Sequence, residues 1–338
     1  FMGVEEAARR RDFTMNAMMR DALTGALIDL FGGQADIQNR VIRHVDERTF
    51  RRDPLRAIRA AQFAARLEFA IAPETMALCR TLDLDGLARE RVMGEKEKAL
   101  TRSRRPSRCF EALREMGQLE PWLKEVAALI GVRQRADCHP EGDAWTHTML
   151  VVDEAAKLRD EAKNPTGLML AALLHDVGKA VAMQEKDGVI HAYGHETAGV
   201  PLAEDFLRRL TGEKALCRYV LNMVELHMKP NLYAAQNSGQ KAWNRLFDRS
   251  ACPEDLLLLA KADHRGRPNA APYAETERTI RARLSAYEEM MARPHITGAD
   301  LLARGIQPGE EMGRLLEEAH RLRLAGVKKE DALRQMRL

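Results

Sequence analysis

The stretch Leu173-Leu174-His175-Asp176-Val177-Gly178-Lys179 sets an imidazole and a carboxylate side by side at the end of an apolar run, Gly167 to Leu174. Burying two ionisable groups there is costly unless something pairs with them, and a divalent cation is the natural partner. Gly178 fits the left-handed stop of that helix. Lys179 could hold a phosphoryl oxygen as a point charge. Its alternative reading is an ordinary cation at a helix C-terminus, favoured by the dipole. His147 lies in an earlier helical run, Ala144 to Leu158, and Asp263 follows a third apolar run, Leu256 to Ala262. An antiparallel helix pair joined through Asn164-Pro165 would bring His147 to His175.

A second group of reactive types lies near the start. Arg11 and Asn16 could contact a triphosphate and a ribose, the arginine binding phosphate in bidentate fashion. Asp53-Pro54 opens a helix with Asp at the N-cap and Pro at N1. Leu55, Ile58, Gln62 and Ala65 share one face of it, so Arg56, Arg59 and Arg66 fall on another. The alternative for Asp53 is a cap paired with Arg56.

Holding these groups in place requires a mainly α chain. The 338 residues are 45% hydrophobic but only 5% aromatic, which favours helices and large cores in two or three units. Further helices are expected at Pro73 to Leu82, Leu87 to Leu100, Pro106 to Met116, Leu216 to Met228 (carrying His227), Glu275 to Ala292, Glu310 to Ala325 and Lys329 to Met336. Short strands are expected at Leu27 to Phe31 and Val41 to Val45, and a hairpin around Asp187-Gly188 precedes His195. Five scattered cysteines without a C-x-x-C fit a reducing, cytoplasmic setting and argue against a cysteine metal site. No apolar run approaches a membrane span, so no membrane partner is expected. A formal charge of +3 indicates little by itself, but arginines cluster at Arg9-Arg10-Arg11, Arg51-Arg52 and between 102 and 108. That clustering fits a polyphosphate or RNA partner; solvated helix faces balanced by nearby acids are the alternative.

The seven residues from Leu173 to Lys179 resemble the signature of the HD superfamily of metal-dependent phosphohydrolases. The resemblance implies a ligand set of His147, His175, Asp176 and Asp263, with His195 and His227 as further ligands where two metals are held; the alternative is a surface His195 and a capping His227. Imidazole with carboxylate suits Mn, Fe, Co, Ni or Zn, while Mg prefers more oxygens. His175, Asp176 and Lys179 would then be the catalytic group.

A second resemblance rests on Arg10-Arg11-Asp12-Phe13-Thr14-Met15-Asn16-Ala17, on Asp29 to Arg43 and on Asp53-Pro54-Leu55-Arg56-Ala57-Ile58-Arg59. In this order the three segments look like class II tRNA nucleotidyltransferases, the CCA-adding enzymes and their bacterial poly(A) polymerase relatives. Ile296 to Gly309 is similar to the closing segment of that family. The family implies that Asp53 and Arg56 read the edges of CTP or ATP and that Arg59 lies beside the phosphates, with Mg serving nucleotidyl transfer. The sequence departs at Arg52, where the family usually has Glu. The family's metal-binding Asp-x-Asp pair does not occur upstream of Arg10. A chain of this sequence is therefore expected not to polymerise nucleotides and to be a piece of a longer enzyme beginning before Phe1.

The implied layout is a remnant of a nucleotidyltransferase head with short strands (1–50), a nucleotide-selecting neck and RNA-binding helical body (51–135), an all-helical HD phosphohydrolase domain (136–270) and a helical tail (271–338). The expected chemistry is hydrolysis of 2′,3′-cyclic phosphodiesters and related phosphate esters at a tRNA or other RNA 3′ end. The competing readings are an RNA-binding body with a vestigial HD site, a poly(A) polymerase relative, and a free-standing nucleotide phosphohydrolase. Oligomeric state is not legible.

Overall fold

The computed structural model describes residues 3–135 and 139–338. Phe1, Cys138 and the boundary expected at 136 lie outside the described residues. The fold is mainly α, and the strands form short two-stranded pairs. It divides into one unit of residues 1–225 and 262–270, and a second of 226–261 and 271–338.

In the first unit, Phe13 lies fully buried, edge-on to Phe50 and Phe63. This aromatic cluster anchors the N-terminal segment to helix Leu55–Leu67, which packs against Arg89–Arg102 and Ser107–Glu115. The strands are shorter than the sequence suggests. Leu27–Ile28 pairs antiparallel with Met19–Arg20. It ends because the Asp29 carboxylate accepts from the N–H groups of Gly33 and Gln34 and turns the chain into helix Gly33–Gln38. Val41–Ile42 pairs parallel with Ala70–Ile71, and His44 bridges separately to Phe13.

Helices Ala144–Ala156 and Pro165–Leu174 pack together. Both have side-chain caps: Asp143 accepts from Thr146 N–H at 2.9 Å, and Asn164 from Gly167 N–H at 2.8 Å. The hairpin Gln184–Lys186/Val189–His191 turns at Asp187 and Gly188, both with positive φ as a two-residue turn of the primed kind requires.

Gly178 does not stop a helix in the left-handed conformation. Its φ is −67°, and it precedes the short helix Lys179–Ala182. Glycine is needed there for another reason: a Cβ would collide with the carbonyl oxygen of His195 and lie 2.5 Å from Gly199 N. The turn after Asp176 thus packs backbone to backbone on helix His195–Leu210.

The expected cap at Asp53 is also replaced. Helix Leu55–Leu67 starts behind Pro54 without a side-chain cap, and the Asp53 carboxylate pairs with Arg91 at 2.8 Å instead.

The second unit is wholly helical among its described residues. Trp243 and Phe247 stack on helix Gln240–Arg249, and Asn244 donates to Leu324 O at 3.0 Å beneath them. A small core of Ile296, Leu301, Ala319 and Ala332 closes the C-terminal helices. Thr297 and Asp300 form a capping box at the start of helix Gly298–Leu302. His227 does not sit inside a helix from 216 to 228. It is the buried N-cap of Met228–Ala235, where one helix ends at Leu226 and the next begins.

Candidate functional site

Within the first unit, the helix N-capped by Asp143 carries His147 and the apolar helix Pro165–Leu174 delivers His175 and Asp176. The final turn of Pro253–Arg265 brings Asp263, and Gly194, with φ of 74°, starts the helix headed by His195. All five side chains are buried and converge. His147 Nε2 lies 3.1 Å from Asp263 Oδ1 and 3.8 Å from Asp176 Oδ2. His175 Nε2 lies 3.2 Å from Asp176 Oδ2, and His195 Nε2 3.1 Å from Asp176 Oδ1. His227 belongs to the second unit, and its role as a ligand is what the HD resemblance implies.

The protonation pattern favours ligation. His175 Nδ1 and His195 Nδ1 each face a backbone carbonyl three residues earlier, Ala172 O and Ala192 O, at 2.8 Å. A carbonyl can only accept, so each Nδ1 carries the proton, and Nε2 has the lone pair when the ring is neutral. His147 Nδ1 reaches a carboxylate instead, Glu141 Oε1 at 2.7 Å. Three Nε2 atoms therefore face two buried carboxylates. Donors around a shared ion at roughly 2.0–2.2 Å can lie at most about 4.4 Å apart, and the separations above meet that limit. The set fits a divalent cation.

Electrostatics agrees. Burial alone would raise Asp176, but the charges of His175 and Lys179 and hydrogen bonds from His175 and His195 hold it well below the usual carboxylate range. Asp263 is likewise held low against its burial by the hydrogen bond from His147 and the charge of Arg267. Burial works to lower His147, yet its bonds to Asp263 and Glu141 raise it above the ordinary imidazole value; the same opposition with Asp176 raises His195.

Lys179 is buried, with Nζ 2.6 Å from Asp176 Oδ2 and 2.6 Å from Gln134 Oε1. Its ammonium goes to these two partners rather than to helix-terminal carbonyls. Sequence reasoning missed Gln134, Glu141 and His139. The signal available was a histidine and a glutamate just ahead of the N-cap Asp143. Burial and the charges of Lys179 and His147 push His139 down to about 4. Glu141 is held at about 2: burial opposes this, and hydrogen bonds from His147 and His139 outweigh it.

A second site lies in the same unit. Arg11, Asp53, Arg56 and Arg59 line a cavity of about 510 Å³. Arg56 donates to the carbonyls of Arg10 at 2.7 Å and Thr49 at 3.0 Å. Arg59 is clamped between Asp12 at 2.6 Å and Glu95 at 3.1 Å. Asn16 reaches the cavity wall through Asp12, to which its amide donates at 3.0 Å. Arg91 and Glu95, which tie down Asp53 and Arg59, carried no sequence signal beyond membership of a helix.

A Poly A polymerase head domain model matches residues 2–43, and an HD domain model residues 144–267. The chain is 40% identical to the multifunctional CCA protein of Burkholderia cenocepacia (strain HI2424), over 96% of this chain and 78% of that protein. It is 35% identical to that of Actinobacillus pleuropneumoniae serotype 5b (strain L20), with the same coverage. Among solved structures, the Bacillus stearothermophilus CCA-adding enzyme in complex with CTP superposes with a TM-score of 0.63 at 24% identity, covering 100% of this chain and 75% of that one. The Thermotoga maritima CCA-adding enzyme complexed with tRNA gives 0.61 at 18% identity, covering 98% and 74%. The class thus defined is a nucleotidyltransferase enzyme with an HD domain. The chain belongs to the multifunctional CCA protein family. Among the described residues, no helix is long and apolar enough to cross a membrane.

Proposed function

We propose that the buried centre is a metal-dependent phosphohydrolase acting on 2′,3′-cyclic phosphodiesters and related phosphate esters at RNA-like 3′ ends. The observation that carries this reading is the convergence of three imidazole Nε2 atoms on Asp176 and Asp263. His147, His175, Asp176 and Asp263 would hold the cation, with His195 beside them; the imidazole-rich set favours Mn, Fe, Co, Ni or Zn over Mg. The bound cation supplies Lewis-acid chemistry at phosphorus. Lys179 offers a third N–H beyond those facing Asp176 and Gln134, and this one is assigned to a phosphoryl oxygen. Asp176, kept ionised, balances Lys179 and orients His195.

The arginine-lined cavity is assigned to a nucleoside triphosphate, CTP or ATP. Arg11 and Arg59 would meet phosphate, and Asp53 and Arg56 the base edge. The complexes of related enzymes with ATP, CTP and tRNA support this assignment and a tRNA 3′ end as the common substrate. The layout of head, neck and body, HD domain and tail follows the same reading.

The test is metal analysis with hydrolysis of a 2′,3′-cyclic nucleotide, comparing the parent with His175→Ala and Asp176→Ala. A loaded, active parent and empty, inactive variants are expected. A parent with neither metal nor turnover leaves an RNA-binding protein with a vestigial site. Turnover of free nucleotides with indifference to tRNA would indicate a free-standing hydrolase.

A further inference from the structure

We propose that Glu141, itself held by His139, is a positioning residue that fixes the tautomer of His147 so that its Nε2 lone pair faces the cation site. The inference rests on the metal-centre reading above. His175 and His195 need no such help, because each takes its orientation from its own backbone, through Ala172 O and Ala192 O. His147 sits one turn into helix Ala144–Ala156, and a side chain does the same work for it.

The competition at His147 makes this support necessary. On its Nε2 side stand Asp263 at 3.1 Å and Asp176 at 3.8 Å. In a neutral ring, these carboxylates draw the single proton to Nε2, and that tautomer has no lone pair at Nε2 to offer a cation on that side. Glu141 Oε1, 2.7 Å from Nδ1, pulls the proton the other way. The Glu141 side chain is buried, which strengthens the pull. His139 donates to the same Oε1 from 2.8 Å, and its ring packs edge-on to His147 at 4.6 Å between centroids. Both ring nitrogens thus meet the same carboxylate oxygen. Outer carboxylates of this kind contribute about 10–100-fold to metal affinity.

The experiment titrates Co²⁺ into the metal-free full chain, by calorimetry and by the visible Co²⁺ spectrum. It uses the parent, Glu141→Ala, Glu141→Gln, His139→Ala and His175→Ala, with circular dichroism confirming the fold of each. Glu141→Ala should bind about 10–100-fold more weakly with unchanged stoichiometry. Glu141→Gln, whose amide oxygen can take the place of Oε1 opposite Nδ1, should recover most of that loss, which a merely structural role would not predict. His139→Ala should fall between the two. Affinity of Glu141→Ala within about threefold of the parent overturns the inference. So does the loss of one of two bound ions in Glu141→Ala or His139→Ala, which would make His139, Glu141 and His147 a metal site of their own. If Glu141→Ala does not fold, Glu141→Gln near parent affinity with a weakened His139→Ala supports the inference, and parent affinity in both overturns it. His175→Ala separates the two levels. If it binds like the parent, the metal-centre reading itself has failed, whatever Glu141 does.

Discussion

Replacing Lys96 by Met should stabilise this protein, by an amount that depends on pH. Lys96 projects from helix Arg89–Arg102 into the interior, where it is only 2% exposed. Burial lowers its pKa from 10.5 to about 8; the nearby Cys109 partly offsets this and Arg209 adds to it. Each unit is worth about 1.4 kcal/mol, so holding the charged amine in the fold costs about 3 kcal/mol below pH 8. The folded-state pKa of a cation is depressed here, so the unfolded chain binds the extra proton between about pH 8 and 10.5. Stability of the parent therefore rises with pH across that window. Met has similar length and no charge, so Lys96→Met should gain about 3 kcal/mol at pH 7 and little at pH 10.5. Urea unfolding at pH 7, 9 and 10.5 would show the two midpoints converging. A loss of 1 kcal/mol or more at pH 7 would mean that the ammonium has favourable partners, and the burial argument would be refuted.

Three other outcomes follow from the geometry. Gly178→Ala puts a methyl group into the backbone of His195 and Gly199, so it should cost about 1–3 kcal/mol and weaken metal loading by displacing His195; a parent-like melt and metal content would contradict this. Asp143→Ala removes the acceptor for Thr146 N–H and Gly131 N–H, and should lower stability by about 0.5–2 kcal/mol in a thermal melt, with weaker metal binding because the cap holds the turn bearing His147. Metal affinity should fall as pH drops through the raised values of His147 and His195, since protons then occupy the Nε2 atoms. Calorimetry in buffers of different ionisation enthalpy should detect proton release on binding that grows toward pH 6, and pH-independent affinity between 6 and 8 would count against the site.

Much of this was readable from residue order, because the signals are local. The abrupt His175-Asp176 after eight apolar residues and the Asp187-Gly188 turn each depend on neighbours within a few positions. Helical periodicity and backbone preference are properties of such windows, so the elements carrying His147, His175, Asp176 and Asp263 could be placed before any coordinates.

Only the folded chain decided which side chain answers which. Asp53 looked like a cap and pairs with Arg91, 38 positions away. Gly178 looked like a left-handed stop, yet it is glycine because another helix crosses it. Arg59 is gripped by Asp12 and Glu95, His147 by Glu141, and Lys179 by Gln134. These pairings join residues that sequence separation leaves unrelated. Their energies come from desolvated charges brought within hydrogen-bond reach, which exist only once the helices have packed.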